Sequence, residues 1–207
     1  MTKNKIIYHT SDPLKVHRLL SFKVSMLVGL LLIIFISGIL TYPEKFHFRE
    51  DALSYLGEIY LKNGKPNIYS FIIFAAGMIG CSLLSFSISH DTAGYKPHIF
   101  FKIAGVGFAL LAVPGDISNL VHSLGGAISV GSLWFFSALS LNDLYKKSKS
   151  LRILLYQLIL QGSVLPYAFL YFAISPYRQY AQKFAVIGLM IILTVTIREY
   201  LPILKRS

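Results

Sequence analysis

From Ile68 to Ser89 the chain carries no charged side chain. A helix crossing the hydrocarbon core of a bilayer needs roughly 20 mostly apolar residues, and this run supplies them. Similar runs extend over Val24–Tyr42, Ile99–Val113, Leu120–Leu141, Leu151–Ile174 and Ala181–Tyr200. The third is short, and Lys102 near its start is placed to reach a headgroup region with its terminal amine. Lipid offers no hydrogen-bond partners to a backbone, so a spanning segment must satisfy its own N–H and C=O groups. Long uninterrupted apolar runs do this as helices. The predicted fold is all-α: a polytopic membrane protein, residues 1–207 forming one integral membrane domain with a six-transmembrane-helix bundle. The Gly, Ala and Ser within the runs suit close helix packing in lipid.

Only 14% of the residues are charged, against about a quarter in soluble domains. The charges gather between the runs, with a net balance of +11. In a soluble protein that balance would raise nucleic acid as a partner. Here the basic residues fall in the connecting segments, where they read as a topology signal and an attraction to anionic lipid, so no nucleic-acid partner is expected. With the N-terminus inside, fourteen of the 20 Lys and Arg lie on the cytoplasmic side, including Lys3, Lys5, Lys96, Lys146, Lys147, Lys149, Lys205 and Arg206. Six lie outside: Lys45, Arg49, Lys62, Lys65, Arg178 and Lys183. The expectation is a multi-pass cell-membrane protein with both termini cytoplasmic. The first run is read as a retained span, because it is too long for a signal-peptide core and no small-residue cleavage site follows it.

The longest connection, Pro43–Asn67, places Ala52, Leu53, Leu56, Ile59 and Tyr60 at helical spacing before Gly64 and Pro66. This spacing predicts a short amphipathic helix at about Glu50–Leu61, lying on the outer face. On the opposite face His90, Asp91 and His98, with Gly94 and Pro97, read as a solvated turn. Pro166 lies within the fifth run and is expected to kink it, with Tyr167, Tyr171 and Tyr177 nearby as interface anchors or cavity walls. Cys81 is the one cysteine, so no intrachain disulfide or multi-cysteine metal site is available.

One polar segment interrupts the apolar pattern between the third and fourth runs: Val113-Pro-Gly-Asp-Ile-Ser-Asn-Leu-Val-His122. Ionisable groups next to lipid must be paired, hydrated or neutralised, so this segment points to where function sits. The predicted topology brings it to the same face as the Pro43–Asn67 loop. One segment supplies Asp116, Ser118, Asn119 and His122; the other supplies His47, Arg49, Glu50, Asp51, Ser54 and Glu58. Asp116 and His122 form a candidate carboxylate–imidazole pair for proton transfer. The alternative is that Asp116 caps the fourth helix while His122 bonds a backbone carbonyl. Ser54 is a candidate nucleophile with His122 as its base, although Ser-x-x-Gly on a short helix equally serves packing. Arg49, Glu50, Asp51 and Asn119 are candidate ligand-binding residues, Arg49 through a fork matched to a phosphate, with local ion pairing as the alternative. No tight metal-ligand motif is present, no metal is assigned, and no cofactor is identified.

Three elements together resemble a known pattern: Arg49-Glu50-Asp51-Ala52-Leu53-Ser54-Tyr55-Leu56-Gly57, then Asn67…Phe71…Phe74…Gly77, then Pro114-Gly115-Asp116…His122…Gly126. They resemble a bacterial and archaeal family of six-span membrane proteins catalogued as a domain of unknown function. That family has a Ser-x-Leu-Gly and a Pro-x-Asp…His element. More distantly, the chain resembles the DRAM, Frag and Sfk group, some members of which are linked to lipid handling or autophagy; that group tends to have Ser-Asp-x-Gly where this chain has Ser54-Tyr55-Leu56-Gly57. The resemblance implies only that Ser54, Gly57, Asp116 and His122 fall on matching elements. The leading expectation is an outer-face polar pocket that handles a membrane lipid or small amphiphile. An intramembrane hydrolase using His122 and Asp116, and a proton-coupled transporter or accessory subunit in which Asp116 titrates, are the alternatives.

Overall fold

The computed structural model describes residues 13–93 and 95–204, with side chains from 15 to 199. Lys3, Lys5, Gly94, Lys205 and Arg206 lie outside the described residues. Six helices carry the fold: α1 Pro13–Leu40, α2 Ile68–Asp91, α3 Pro97–Leu111, α4 Asn119–Ser148, α5 Leu151–Phe172 and α6 Arg178–Leu204. All but α3 are long and apolar enough to cross a membrane. The 15 residues of α3 reach only about 22 Å at the helical rise, short of a bilayer core. The helices form one all-α bundle around a continuous apolar core that includes Leu27, Ile34, Met78, Phe101, Phe136, Leu160 and Leu193.

Cross-helix ties fix the two ends of the bundle. At one end Lys23 pairs with Asp91, Lys96 with Asp143 at 2.6 Å, and Arg152 with Glu199 at 3.1 Å. Segment 41–67 and the turns 112–118 and 173–177 gather at the other, called here the loop end. Asp91 therefore belongs to the last turn of α2 and an ion pair with α1, where the sequence pattern suggests a solvated turn. His98 is likewise engaged, its Nδ1 lying 2.8 Å from the Ser89 carbonyl and 3.0 Å from the Ser89 hydroxyl.

Small residues set the tightest contact, between α3 and α4. A methyl group on Gly125 would come within 2.4 Å of the Leu111 backbone nitrogen. One on Gly107 would come equally close to the Ser129 nitrogen. Glycine at both positions lets the two backbones touch, as in lipid-embedded helix pairs that lack large side chains at the seam. Ser82 Oγ adds a bond from α2 to the Gly105 carbonyl at 2.8 Å. Pro166 is accommodated inside α5, which runs on to Phe172.

The amphipathic helix expected at Glu50–Leu61 does not form. Leu53–Gly57 makes a single 3-10 turn, followed by extended backbone at Glu58. Its carbonyls are captured by side chains at the start of α2. Asn67 Nδ2 donates to the Tyr55 and Glu58 carbonyls at 3.2 and 2.9 Å, and Ser70 Oγ donates to the Leu56 carbonyl at 3.0 Å. Those acceptors are thereby withdrawn from the helical i→i+4 pattern. Leu53 and Leu56 turn inward, and Gly57 sits so close under the Phe74 ring that a Cβ would lie 2.5 Å from it. Leucines that read as the apolar stripe of a surface helix are instead core residues.

Candidate functional site

The two polar segments meet at the loop end. Asp116, in the turn between α3 and α4, presents its carboxylate to two consecutive backbone N–H groups of the 43–67 loop. Ile59 donates at 3.2 and 3.1 Å to its two oxygens, and Tyr60 donates to Oδ2 at 3.0 Å. These are charge-assisted bonds to groups that leave the 3-10 turn in extended conformation, so the carboxylate supplies acceptors no local backbone offers. The helix cap expected of Asp116 falls to Ser118, whose hydroxyl accepts from Val121 N–H at 3.4 Å.

His122 is only 5% exposed and stacks on Phe74 with ring centroids 6.0 Å apart. Its Nδ1 lies 2.7 Å from the Val113 carbonyl. A carbonyl only accepts, so Nδ1 carries a proton in this contact. Nε2 is buried and has no hydrogen-bond partner among the described residues. Neither Asp116 nor Ser54 is hydrogen-bonded to this ring: the first is taken by Ile59 and Tyr60, and the ring's one bond goes to Val113. The carboxylate–imidazole pair is replaced by two separate backbone contacts nine and fifty-odd residues away.

Glu58 approaches the same turn from the 43–67 loop. A Cβ built on Gly115 would lie 3.7 Å from Glu58 Oε1 and 3.8 Å from His122 Cδ2, so the carboxyl and the ring edge flank the same glycine. Burial, and then the neighbouring Asp116 charge, push the Glu58 carboxyl up to about 7 from 4.5, with Lys62 opposing them. This group exchanges its proton near neutrality, a property concentrated at functional sites.

Glu58 also lines an open groove of about 390 Å³ with Tyr42, Glu44, Lys45, His47, Asp51, Tyr55, Leu61, Lys62 and Asn63. On its rim, Glu44 accepts from Lys65 Nζ at 2.7 Å and Asn63 Nδ2 at 2.8 Å, which holds its carboxyl below the ordinary value. Asp51 accepts the His47 N–H at 2.7 Å. Tyr42, just beyond the end of α1, has its phenol pushed up to about 12 by burial and then by Asp51, Glu58 and Glu44. Three carboxyls, two lysines and a histidine thus share the groove lining.

The wall behind Asp51 hangs on α6. Lys183 is 1% exposed, and its Nζ donates to the carbonyls of Asp51 and, at 2.9 Å, Gln179. The ammonium also lies 5.5 and 5.3 Å from the ring centroids of Phe46 and Phe48. Gln182 Oε1 accepts the Leu53 N–H at 2.8 Å. Residues 46–53 are thus folded over the start of α6 by one buried cation and one amide. Lysine two positions into an apolar run is the signal for such an anchor, since a buried charge near lipid requires partners.

Of the other predicted ligand residues, Asp51 reaches the groove. Arg49 lies outside it, over the Tyr177 ring at 5.7 Å, and Glu50 is exposed. Asn119 starts α4 and accepts from Ser123 Oγ at 3.2 Å. Ser54 is half-buried in the 3-10 turn. No group of three His, Cys, Asp or Glu among the described residues is arranged to hold a metal. The groove's Tyr42, Tyr55 and Lys62 are not legible as site residues without the fold.

No family model, curated protein or solved structure matches this chain.

Proposed function

We propose that this protein binds the headgroup of a membrane lipid or similar small amphiphile in the loop-end groove. The carrying observation is the position of that groove. It opens beside Tyr42 at the end of α1, a helix apolar enough to span a membrane. The chain segments that line it also expose apolar side chains at or next to their ends and bends, at Leu40, Phe48, Tyr60 and Ile68. A polar cavity of this size next to exposed apolar side chains suits a molecule with a charged head and a hydrocarbon tail. On the charge asymmetry of the sequence, the groove faces the outer leaflet of the cell membrane. Asp116 acts as a positioning residue, holding the extended backbone that follows Glu58.

A lipid retained through mild-detergent purification of the full chain, identified by native mass spectrometry and lost in Asp116→Ala, supports this reading. Wild-type protein that carries no lipid and takes none up from mixed micelles contradicts it.

A second reading is proton-coupled transport. One observation favours it: the titrating carboxyl of Glu58 lies across Gly115 from the buried His122, whose Nε2 has no partner among the described residues. In that reading Glu58 carries the proton, and Glu58→Gln abolishes the pH dependence of flux in proteoliposomes.

A further inference from the structure

The groove lining already carries an ammonium group, and it belongs to the chain itself. Lys62 Nζ lies 4.6 Å from the centroid of the Tyr55 ring and donates to the Tyr55 hydroxyl at 3.0 Å. A cation within about 6 Å of an aromatic face is attracted by the ring quadrupole. The hydrogen bond to Tyr55, with the charges of Glu58 and Asp51 adding, holds the Lys62 amine above the usual lysine value. Yet Lys62 is exposed and stands in a tight turn, Leu61–Lys65, closed by the Gly64 N–H to Leu61 carbonyl bond at 2.8 Å. Its side chain can swing into solvent without disturbing any buried contact.

Part of the groove wall is aromatic and acidic. Tyr42 and Tyr55 supply aromatic surface, and Glu58 and Asp51 supply carboxylates. Aromatic rings together with carboxylates recognise ammonium groups and repel bare anions. Lys45 and His47 line the same groove, where they suit the phosphate of a zwitterionic headgroup.

We infer that the groove is an ammonium site, that its ligand is an amine-bearing headgroup, and that Lys62 is a tethered occupant which the ligand displaces. This rests on the headgroup-binding reading above and names the chemistry it would take. A tethered competitor at high effective concentration lowers apparent affinity without contributing to the bound complex.

The test measures binding to the full-length protein in detergent, by calorimetry, for three probes. Short-chain phosphatidylethanolamine carries phosphate and ammonium, short-chain phosphatidylglycerol carries the phosphate alone, and ethanolamine is the free amine. Lys62→Met is expected to tighten phosphatidylethanolamine binding about tenfold and to leave phosphatidylglycerol unchanged. Tyr55→Leu and Glu58→Gln are expected to weaken phosphatidylethanolamine by tenfold or more. Tyr55→Phe keeps the ring, and it retains most of the affinity if the cation–π contact matters and the fold is intact. Ethanolamine binding as tightly as the lipid supports ammonium recognition and assigns it to a soluble amine. Lys62→Met that weakens or does not alter phosphatidylethanolamine binding overturns the inference. Phosphatidylglycerol binding as well as phosphatidylethanolamine also overturns it while leaving the lipid reading standing. Failure of both lipids to bind removes the lipid reading itself.

Discussion

The Oδ2 atom of Asp116 accepts the backbone N–H of Tyr60 at 3.0 Å, across 56 positions of sequence. With the adjoining bond from Ile59, this contact joins the two polar segments of the chain. It places Glu58 between a groove on one side and the Gly115–His122 turn on the other. An aspartate that reads as a helix cap or a catalytic partner is, in the folded chain, a clasp.

Removing the clasp leaves two N–H groups without an acceptor. Each unsatisfied group costs about 1–3 kcal/mol when shielded from water, and less here because Asp116 is exposed. Asp116→Ala should therefore lower stability by about 1–3 kcal/mol, read as a drop in thermal midpoint in detergent. Asp116→Asn keeps one acceptor oxygen and should fall between Ala and wild type. Equal loss in both variants would show that charge, not acceptor count, sets the effect.

Glu58 makes stability depend on pH. Its folded value of about 7 lies above the ordinary 4.5, so the native state holds a proton that the unfolded chain has released in between. The resulting stabilisation is fully present below about 4.5 and is lost as pH rises through about 7. The groups that face it are Asp116 from the α3–α4 turn, Lys62 from its own loop, Tyr42 beyond α1 and His122 across Gly115. Thermal midpoints measured from pH 5 to pH 8 should decline for wild type. In Glu58→Gln that decline should be markedly shallower; an unchanged slope would assign it to another group.

Lys183 should control the loop rather than the bundle. Lys183→Met keeps most of the side-chain volume but withdraws the bonds to the Asp51 and Gln179 carbonyls and the contact with Phe46 and Phe48. The lost bonds are offset in part because an apolar side chain of similar volume no longer has to be desolvated as a charge. The expected outcome is faster amide hydrogen exchange, confined to residues 46–53, with a thermal midpoint close to wild type. Uniformly faster exchange would mean that the lysine supports the whole fold.

Gly125 tests the α3–α4 seam. An alanine there would bring its methyl to within 2.4 Å of the Leu111 nitrogen and 2.8 Å of the Gly107 carbonyl oxygen. Both atoms are backbone and cannot rotate away, so the helices must separate. Gly125→Ala should cost at least about 1–3 kcal/mol, the usual range for overpacking a tight core. Gly131→Ala on the same helix, with nothing within 4 Å, should be close to neutral. Both are read by thermal unfolding in one detergent.

The sequence alone determines the all-α bundle, because uncharged runs such as Ile68–Ser89 leave a backbone in lipid no option but its own hydrogen bonds. It also locates the α3–α4 turn as a polar anomaly and sets it on the same end as the long loop. It does not determine what the loop does there. The periodicity of Leu53, Leu56 and Ile59 describes a surface helix, but Asn67 and Ser70 take the carbonyls such a helix would use. Likewise nothing local tells Asp116 to bond Tyr60 rather than cap α4, or tells Lys183 to bury its amine against Asp51. Spacing records how a segment would bury itself in isolation. Asp116 and Lys183 find acceptor or donor groups 56 and 132 positions away, and those distances are closed only when the helices pack.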